Sequence, residues 1–209
     1  EQLELLNGQT VSVAPLSGQG VGVIADANGV ESMAGIMGGN PSSVTLDTQD
    51  VYLESAFWWP SAIQGRSRRF NFSTDAAHRF ERGVDPSNTL SHIERISQLI
   101  LDICGGQAGP LDDQQPNMPV SAPVTLRVAR ACKIIGMPLT QAQCADALVR
   151  LGLPVVQSEG VLTVTPPSYR FDLQIEEDLI EEVARMVGYN NLPTTPPLAP
   201  ITAKVRPET

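Results

Sequence analysis

The stretch LDDQQPNMPVSAP, residues 111–123, constrains the fold most, because prolines at 116, 119 and 123 interrupt any regular element there. Proline fixes φ and lacks an N–H, so such a stretch belongs neither inside a helix nor in a central strand. It reads as a linker over 113–123 between a first domain, 1–112, and a second, 124–195. A proline-rich tail, 196–209, follows. The expected class is α+β: a mixed β/helix domain, then a small helix-plus-hairpin unit of winged-helix-like order.

The first 60 residues read as β structure. LELLNGQTVSV and VGVIADANGVESMAGIMGG place Asn7-Gly8 and Asn28-Gly29 between apolar runs, which predicts hairpins, the first with a type I′ turn. VYLESAFW alternates as a strand does and leads to Pro60. Helices follow: SAIQGRSRRF begun by Pro60, DAAHRFERG capped by Thr74 or Ser73 and closed by Gly83, and a long helix after Asp85-Pro86. The last carries Leu90, Ile93, Ile96, Ile100 and Ile103 on one stripe.

Beyond the linker, VTLRV reads as a strand and ARACKIIG as a short helix. Thr140 with Gln143 forms a capping box for QAQCADALVRL, and LPVVQSEGVLTVTP is a hairpin. The final helix, QIEEDLIEEVARMVGY, places Ile175, Leu179, Val183 and Met186 on an apolar face and Asp178, Glu181, Glu182 and Arg185 on another. Asp172 precedes it. Convergent carboxylates without His or Cys suit a hard cation such as Mg²⁺. The macrodipole also favours acids near a helix N-terminus, so a solvated acidic face accounts for the same pattern.

A net charge of −9 argues against a generic nucleic-acid binder. Yet five of the twelve arginines (Arg66, Arg68, Arg69, Arg79 and Arg82) fall within seventeen residues. Either they form solvated, ion-paired helix faces, or they meet an anionic ligand. No apolar run approaches the roughly 18 residues a membrane span requires, and no signal peptide is visible. Cys104, Cys132 and Cys144 lack metal-ligand spacing and read as reduced core thiols of a cytoplasmic protein. The chain opens at Glu1 in what reads as the middle of a strand, as a piece of something longer would.

Taken together and in order, GIMGG, VYLESAFW, GRSRRFNFSTDAAHRFERGVDP and PPSYRFDLQIEEDLIEEVARMVGYNNLP make the chain similar to bacterial phenylalanyl-tRNA synthetase β subunits. The resemblance implies the C-terminal part of a tRNA-editing domain followed by the small domain after it. It implies an editing pocket, containing Gly38, Glu54, Thr74 and Ala76, that hydrolyses tyrosine mischarged on the phenylalanine tRNA. It implies Mg²⁺ carboxylates at Asp172, Asp178, Glu181 and Glu182, shared with an α subunit that binds ATP. The whole enzyme would be a cytoplasmic heterotetramer of two α and two β subunits that attaches phenylalanine to its tRNA. This piece alone would not aminoacylate, and further pocket residues would lie upstream.

On this reading a tRNA 3′ end comes near the basic cluster. Arg66, Arg68 and Arg69 are then the expected phosphate contacts, with Arg79 and Arg82 pairing Glu81 and Asp75. Plainer roles exist for the pocket residues: a surface carboxylate for Glu54, a turn glycine for Gly38, an N-cap for Thr74. His78 and His92 read as helix-surface residues, although His78, one turn beyond Thr74, has the alternative of approaching the pocket. No general base is identifiable. The alternative function is a non-catalytic scaffold or nucleic-acid-binding module that supports subunit assembly.

Overall fold

The computed structural model describes residues 2–13 and 20–194. The expected tail at 196–209, and Glu1, lie outside them. The chain divides into two compact units; Pro167–Phe171, although late in the sequence, belong to the first.

In the first unit β1 (Gln2–Glu4) pairs antiparallel with β2 (Thr10–Ser12), Leu3 opposite Val11. The hairpin is where Asn7-Gly8 predicts it, but the turn is not type I′. Gly8 N–H donates to the Leu5 carbonyl at 2.8 Å, and Gly8 has φ +81° while Asn7 stays at negative φ. This is a three-residue loop with glycine at the left-handed position. Pairing of Leu5 with Gln9 (2.8 Å) sets the loop length, and loop length selects the turn.

Three further strands form a second sheet in the order β3 (Val23–Ala25), β4 (Val30–Met33) and β5 (Met37–Gly38). VYLESAFW does not join it, and residues 51–58 carry no strand. Alternation supplies two faces, but a strand also requires a neighbour's backbone, and among the described residues none pairs with this one.

The expected helix over SAIQGRSRRF is two short ones, α1 (Pro60–Ile63) and α2 (Arg66–Arg69), because Gly65 takes φ +73° between them. Then come α3 (Asp75–Phe80), a 3₁₀ turn at Pro86–Asn88 capped by Asp85, and α4 (Thr89–Cys104). Leu3, Leu5, Met33, Ile36, Ile63 and Ala77 form the core, with Trp58, Phe70, Phe72 and Phe80 packed against it.

The second unit has a three-stranded antiparallel sheet in the order β6 (Val124–Arg127), β8 (Val161–Val164), β7 (Val155–Ser158). Helices α5 (Val128–Ile135), α6 (Gln141–Arg150) and α7 (Glu176–Val187) cover it around Leu126, Leu148, Leu162, Leu179 and Val183, all fully buried. The capping box is present: Gln143 N–H donates to Thr140 Oγ1 at 3.2 Å, and Thr140 N–H donates to Gln143 Oε1 at 2.8 Å. Ile175 is 56% exposed at the N-cap and stands outside the apolar face; Ile180, next to Leu179, is buried instead. Of the three cysteines only Cys144 is a core thiol: Cys132 is half-buried and Cys104 exposed.

Arg127 joins β6 to α7 through a 2.6 Å ion pair with Glu176, and Arg130 lies 3.2 Å from the same carboxylate. The hydrogen bond from Arg127 holds the Glu176 carboxyl below the usual glutamate range. A depressed folded-state pKa contributes stability above the unfolded value, lost as pH falls through the folded one. The wild type should therefore lose melting temperature more steeply than Glu176→Gln as pH drops from about 6 to about 3. Parallel titrations would show that Glu176 contributes nothing.

Candidate functional site

A cavity of about 460 Å³ opens in the first unit, and four segments make its wall. The β4–β5 region supplies Met33, Gly35, Ile36 and Gly38; the extended stretch before Pro60 supplies Glu54 and Trp58. From α3 come Ala76 and Phe80, and from the turn before α4 and its first residues come Asp85, Thr89 and His92. The wall is thus largely apolar with a few polar groups, the usual composition of a small-molecule pocket.

Glu54, Gly38 and Ala76 share this wall. Glu54 is exposed, yet the protein around it strips part of its hydration and raises its carboxyl pKa. No hydrogen bond or ion pair engages it among the described residues. A side chain at Gly38 would meet Leu6 Cδ1 at 3.3 Å.

Thr74 is not on the wall. Its hydroxyl donates to the Ile36 carbonyl at 2.8 Å and accepts from Ala77 N–H at 3.0 Å. It is the N-cap of α3, and it ties that helix to the β4–β5 link. Through these bonds it fixes Ala76 and Ile36, which are on the wall.

At the other end, Asp85 accepts from Ser87 N–H (3.0 Å), Ser87 Oγ (2.8 Å) and Asn88 Nδ2 (2.8 Å). Burial pushes its carboxyl up, but hydrogen bonds from Ser168 and Ser87 and the charge of His92 outweigh burial and hold it low. The cavity therefore has one carboxyl whose pKa is raised and one whose pKa is lowered. His92 lies on the wall, whereas His78 pairs with Arg82 at 3.0 Å. Sequence reasoning read both as helix-surface residues and allowed only His78 an approach to the pocket. Asp85-Pro86 was legible as a helix start, but nothing in the spacing reveals that this start faces a cavity.

The arginine cluster is partly ion-paired. Glu81 binds Arg82 (2.9 Å) and Arg68 (3.5 Å), and the Gly65 N–H with these cations keeps its pKa low. Arg82 pairs with Glu81, one of the two expected acids; among the described residues the second cation on Glu81 is Arg68 rather than Arg79. Arg69 has a partner, and Arg66 buries its Nε without a hydrogen bond.

In the second unit, Asp178, Glu181 and Glu182 stand at i, i+3 and i+4 on α7 and so share a face. Asp178 Oδ2 accepts from the N–H groups of Gln174 and Ile175, both at 2.8 Å, and Glu182 pairs with Arg185. Asp172 is engaged as well, and Glu181 is exposed. Carboxylates are the right donors for Mg²⁺, but among the described residues no three acids, histidines or cysteines converge on one point. Within this chain alone the four acids do not close a metal site.

A B3/4 domain family model matches residues 1–105, and a tRNA synthetase B5 domain model matches residues 124–189. A B3/4 domain followed by a B5 domain defines a chain of the aminoacyl-tRNA synthetase class. The phenylalanine–tRNA ligase β subunit of Ralstonia nicotianae is 60% identical over 199 residues, covering 95% of this chain and 24% of the relative. That of Burkholderia lata is 56% identical over 209 residues, covering 100% and 25% respectively. This chain belongs to the phenylalanine–tRNA ligase β-subunit family. It spans about a quarter of the length of the curated relatives it matches.

Proposed function

We propose that the cavity of the first unit is a hydrolytic editing pocket that removes tyrosine wrongly esterified to the phenylalanine tRNA. The observation that carries this reading is Glu54, unpartnered on an otherwise largely apolar wall beside Gly38 and Ala76. Tyrosine and phenylalanine differ by one hydroxyl, and an apolar synthetic pocket rejects an added hydroxyl poorly, by ~10². A second site that requires the hydroxyl resolves the ambiguity. The Glu54 carboxylate accepts the phenol O–H, and phenylalanine leaves it unpaired at a cost of ~1–3 kcal/mol. Thr74 acts from behind the wall by holding Ile36 and α3.

In the same reading the chain is part of a ligase that attaches phenylalanine to its tRNA. Its partner α subunit binds ATP, two α and two β subunits assemble, and the cytoplasm is the compartment. No described helix is long and apolar enough to cross a membrane. Asp172, Asp178, Glu181 and Glu182 would hold a Mg²⁺ only together with ligands from the α subunit, and the ion would supply charge neutralisation there. Arg66, Arg68 and Arg69 meet tRNA phosphate, Arg68 while shared with Glu81.

Calorimetric titration tests the pocket. Tyrosine should bind about 5- to 150-fold more tightly than phenylalanine, and Glu54→Ala should erase the difference. Because burial raises the Glu54 pKa, the preference should fade as pH drops through that raised value and the carboxyl protonates. Equal binding of both amino acids, or a preference that Glu54→Ala retains, rejects the editing assignment for this pocket. It leaves the scaffold reading in its place.

A further inference from the structure

Pro167–Phe171 lie between β8 and α7 in the chain, yet they are part of the first unit, and their contacts fall beside its cavity. A turn in which Arg170 N–H donates to the Pro167 carbonyl at 2.9 Å shapes the segment. Two of its side chains reach the loop that joins α3 to the 3₁₀ turn. Ser168 Oγ stands 2.9 Å from Ser87 Oγ and also hydrogen-bonds the Asp85 carboxylate. The Phe171 ring lies over Gly83, where a Cβ would stand 2.4 Å from Cε2 and 2.6 Å from Cδ2. Glycine at φ +113° is therefore required twice, by the backbone and by the ring.

Between these anchors run Val84 and Asp85, and both line the cavity. The other donors to Asp85, namely Ser87 N–H, Ser87 Oγ and Asn88 Nδ2, belong to the same loop. They give the loop its shape but do not tie it to another segment. Ser168 and Phe171 supply that tie from about eighty residues further along the chain. Phe171 remains 40% exposed, so the ring covers the loop rather than filling the core.

We propose that Pro167–Phe171 form a positioning strap for the cavity, in which Phe171 and Ser168 hold the Gly83–Ser87 loop where Val84 and Asp85 complete the wall. The first unit is then not finished at the linker, because the piece that seats part of its cavity wall is encoded beyond β8. Coupling runs both ways. A ligand that needs the wall in place favours the seated strap by the same free energy with which the strap favours the ligand. This consequence for ligands rests on the editing reading above; the strap itself rests on the contacts alone.

Hydrogen–deuterium exchange on the full-length ligase with its partner subunit tests both halves. Two amides report on the loop: Gly83 N–H donates to the Arg79 carbonyl at 3.0 Å, and Ser87 N–H to Asp85 Oδ1 at 3.0 Å. Phe171→Ala should speed their exchange by about 5- to 20-fold and Ser168→Ala by about 2- to 12-fold. Amides of β1 and β2 should exchange as in the wild type, and Phe171→Leu, which keeps an apolar cover, should restore most of the protection. Gly83→Ala should change loop exchange less in a Phe171→Ala background than in the wild type, because the ring that its Cβ strikes is gone. Saturating tyrosine should slow exchange in both the loop and residues 168–171 of the wild type, and in neither segment of Glu54→Ala. Unchanged loop exchange in Phe171→Ala and Ser168→Ala, or additive effects of Gly83→Ala and Phe171→Ala, overturns the strap. Tyrosine protection of the loop that spares residues 168–171 overturns the coupling. If the variants behave as expected but tyrosine protects neither segment, the strap stands and the editing reading falls.

Discussion

Gly35→Ala is expected to destabilise the first unit by about 2–5 kcal/mol and to displace Trp58 from the cavity wall. Gly35 sits in the tight link between β4 and β5 at φ +65°, where any Cβ is penalised by ~1–2 kcal/mol. A Cβ there would also stand 2.7 Å from Trp58 Cδ1 and 3.0 Å from Ile63 Cδ1. Ile63 is buried and cannot swing away cheaply, so the indole must shift. Urea denaturation measures the first effect. Fluorescence in a Trp59→Phe background, which leaves Trp58 as the only reporter of the two tryptophans, measures the second. Gly65→Ala separates the causes: φ is +73° but nothing lies within 4 Å of the added Cβ, so only the backbone penalty should appear. Equal losses at the two positions would mean that the contact with Trp58 costs nothing.

Leu148→Ala should remove about 2–5 kcal/mol from the second unit, more than any surface change in it. Leu148 lies on α6 with no exposed surface, in one cluster with Leu126, Leu162, Leu179 and Val183. Alanine deletes the methyl groups and leaves a cavity lined by sheet and helix, which close-packed neighbours refill only in part. Val149, the next residue along, is 55% exposed, and Val149→Ala should change stability by no more than ~0.5 kcal/mol. The pair is compared by denaturant midpoint at constant slope. A small loss at Leu148 would show that α6 can settle onto the sheet and close the gap.

Short-range chemistry was legible. The capping box at Thr140 and Gln143, the cap at Thr74 and the hairpin between Leu5 and Gln9 each involve groups three or four residues apart. Their geometry depends little on the rest of the chain. The misreadings have the opposite character. The turn at Asn7-Gly8 was set by cross-strand pairing, the helix over SAIQGRSRRF by one left-handed glycine, and VYLESAFW by the lack of a neighbouring ladder among the described residues. Cys104 looked like a core thiol because composition reports how often a residue type is buried, not which side of a helix end it occupies.

The cavity divides along the same line. Glu54, Gly38 and Ala76 were named through a resemblance that spans the chain; local pattern alone leaves Glu54 a surface carboxylate. Asp85 and His92 were not connected to the site, although both residues had been read as parts of a helix start. Residues from Ser32 to His92 meet on one wall, and no periodicity within a segment encodes which face it turns to another. By itself the sequence determined most of the helices and the second-unit hairpin, the caps at Thr74 and Thr140, the acidic face of α7 and the family. Only the tertiary structure decided that one carboxyl on that wall has no partner among the described residues, that hydrogen bonds lower the pKa of a second, and that an imidazole shares the wall with them. Local elements arise from backbone and side-chain bonds within a few residues, whereas a site arises from packing between segments distant in the chain.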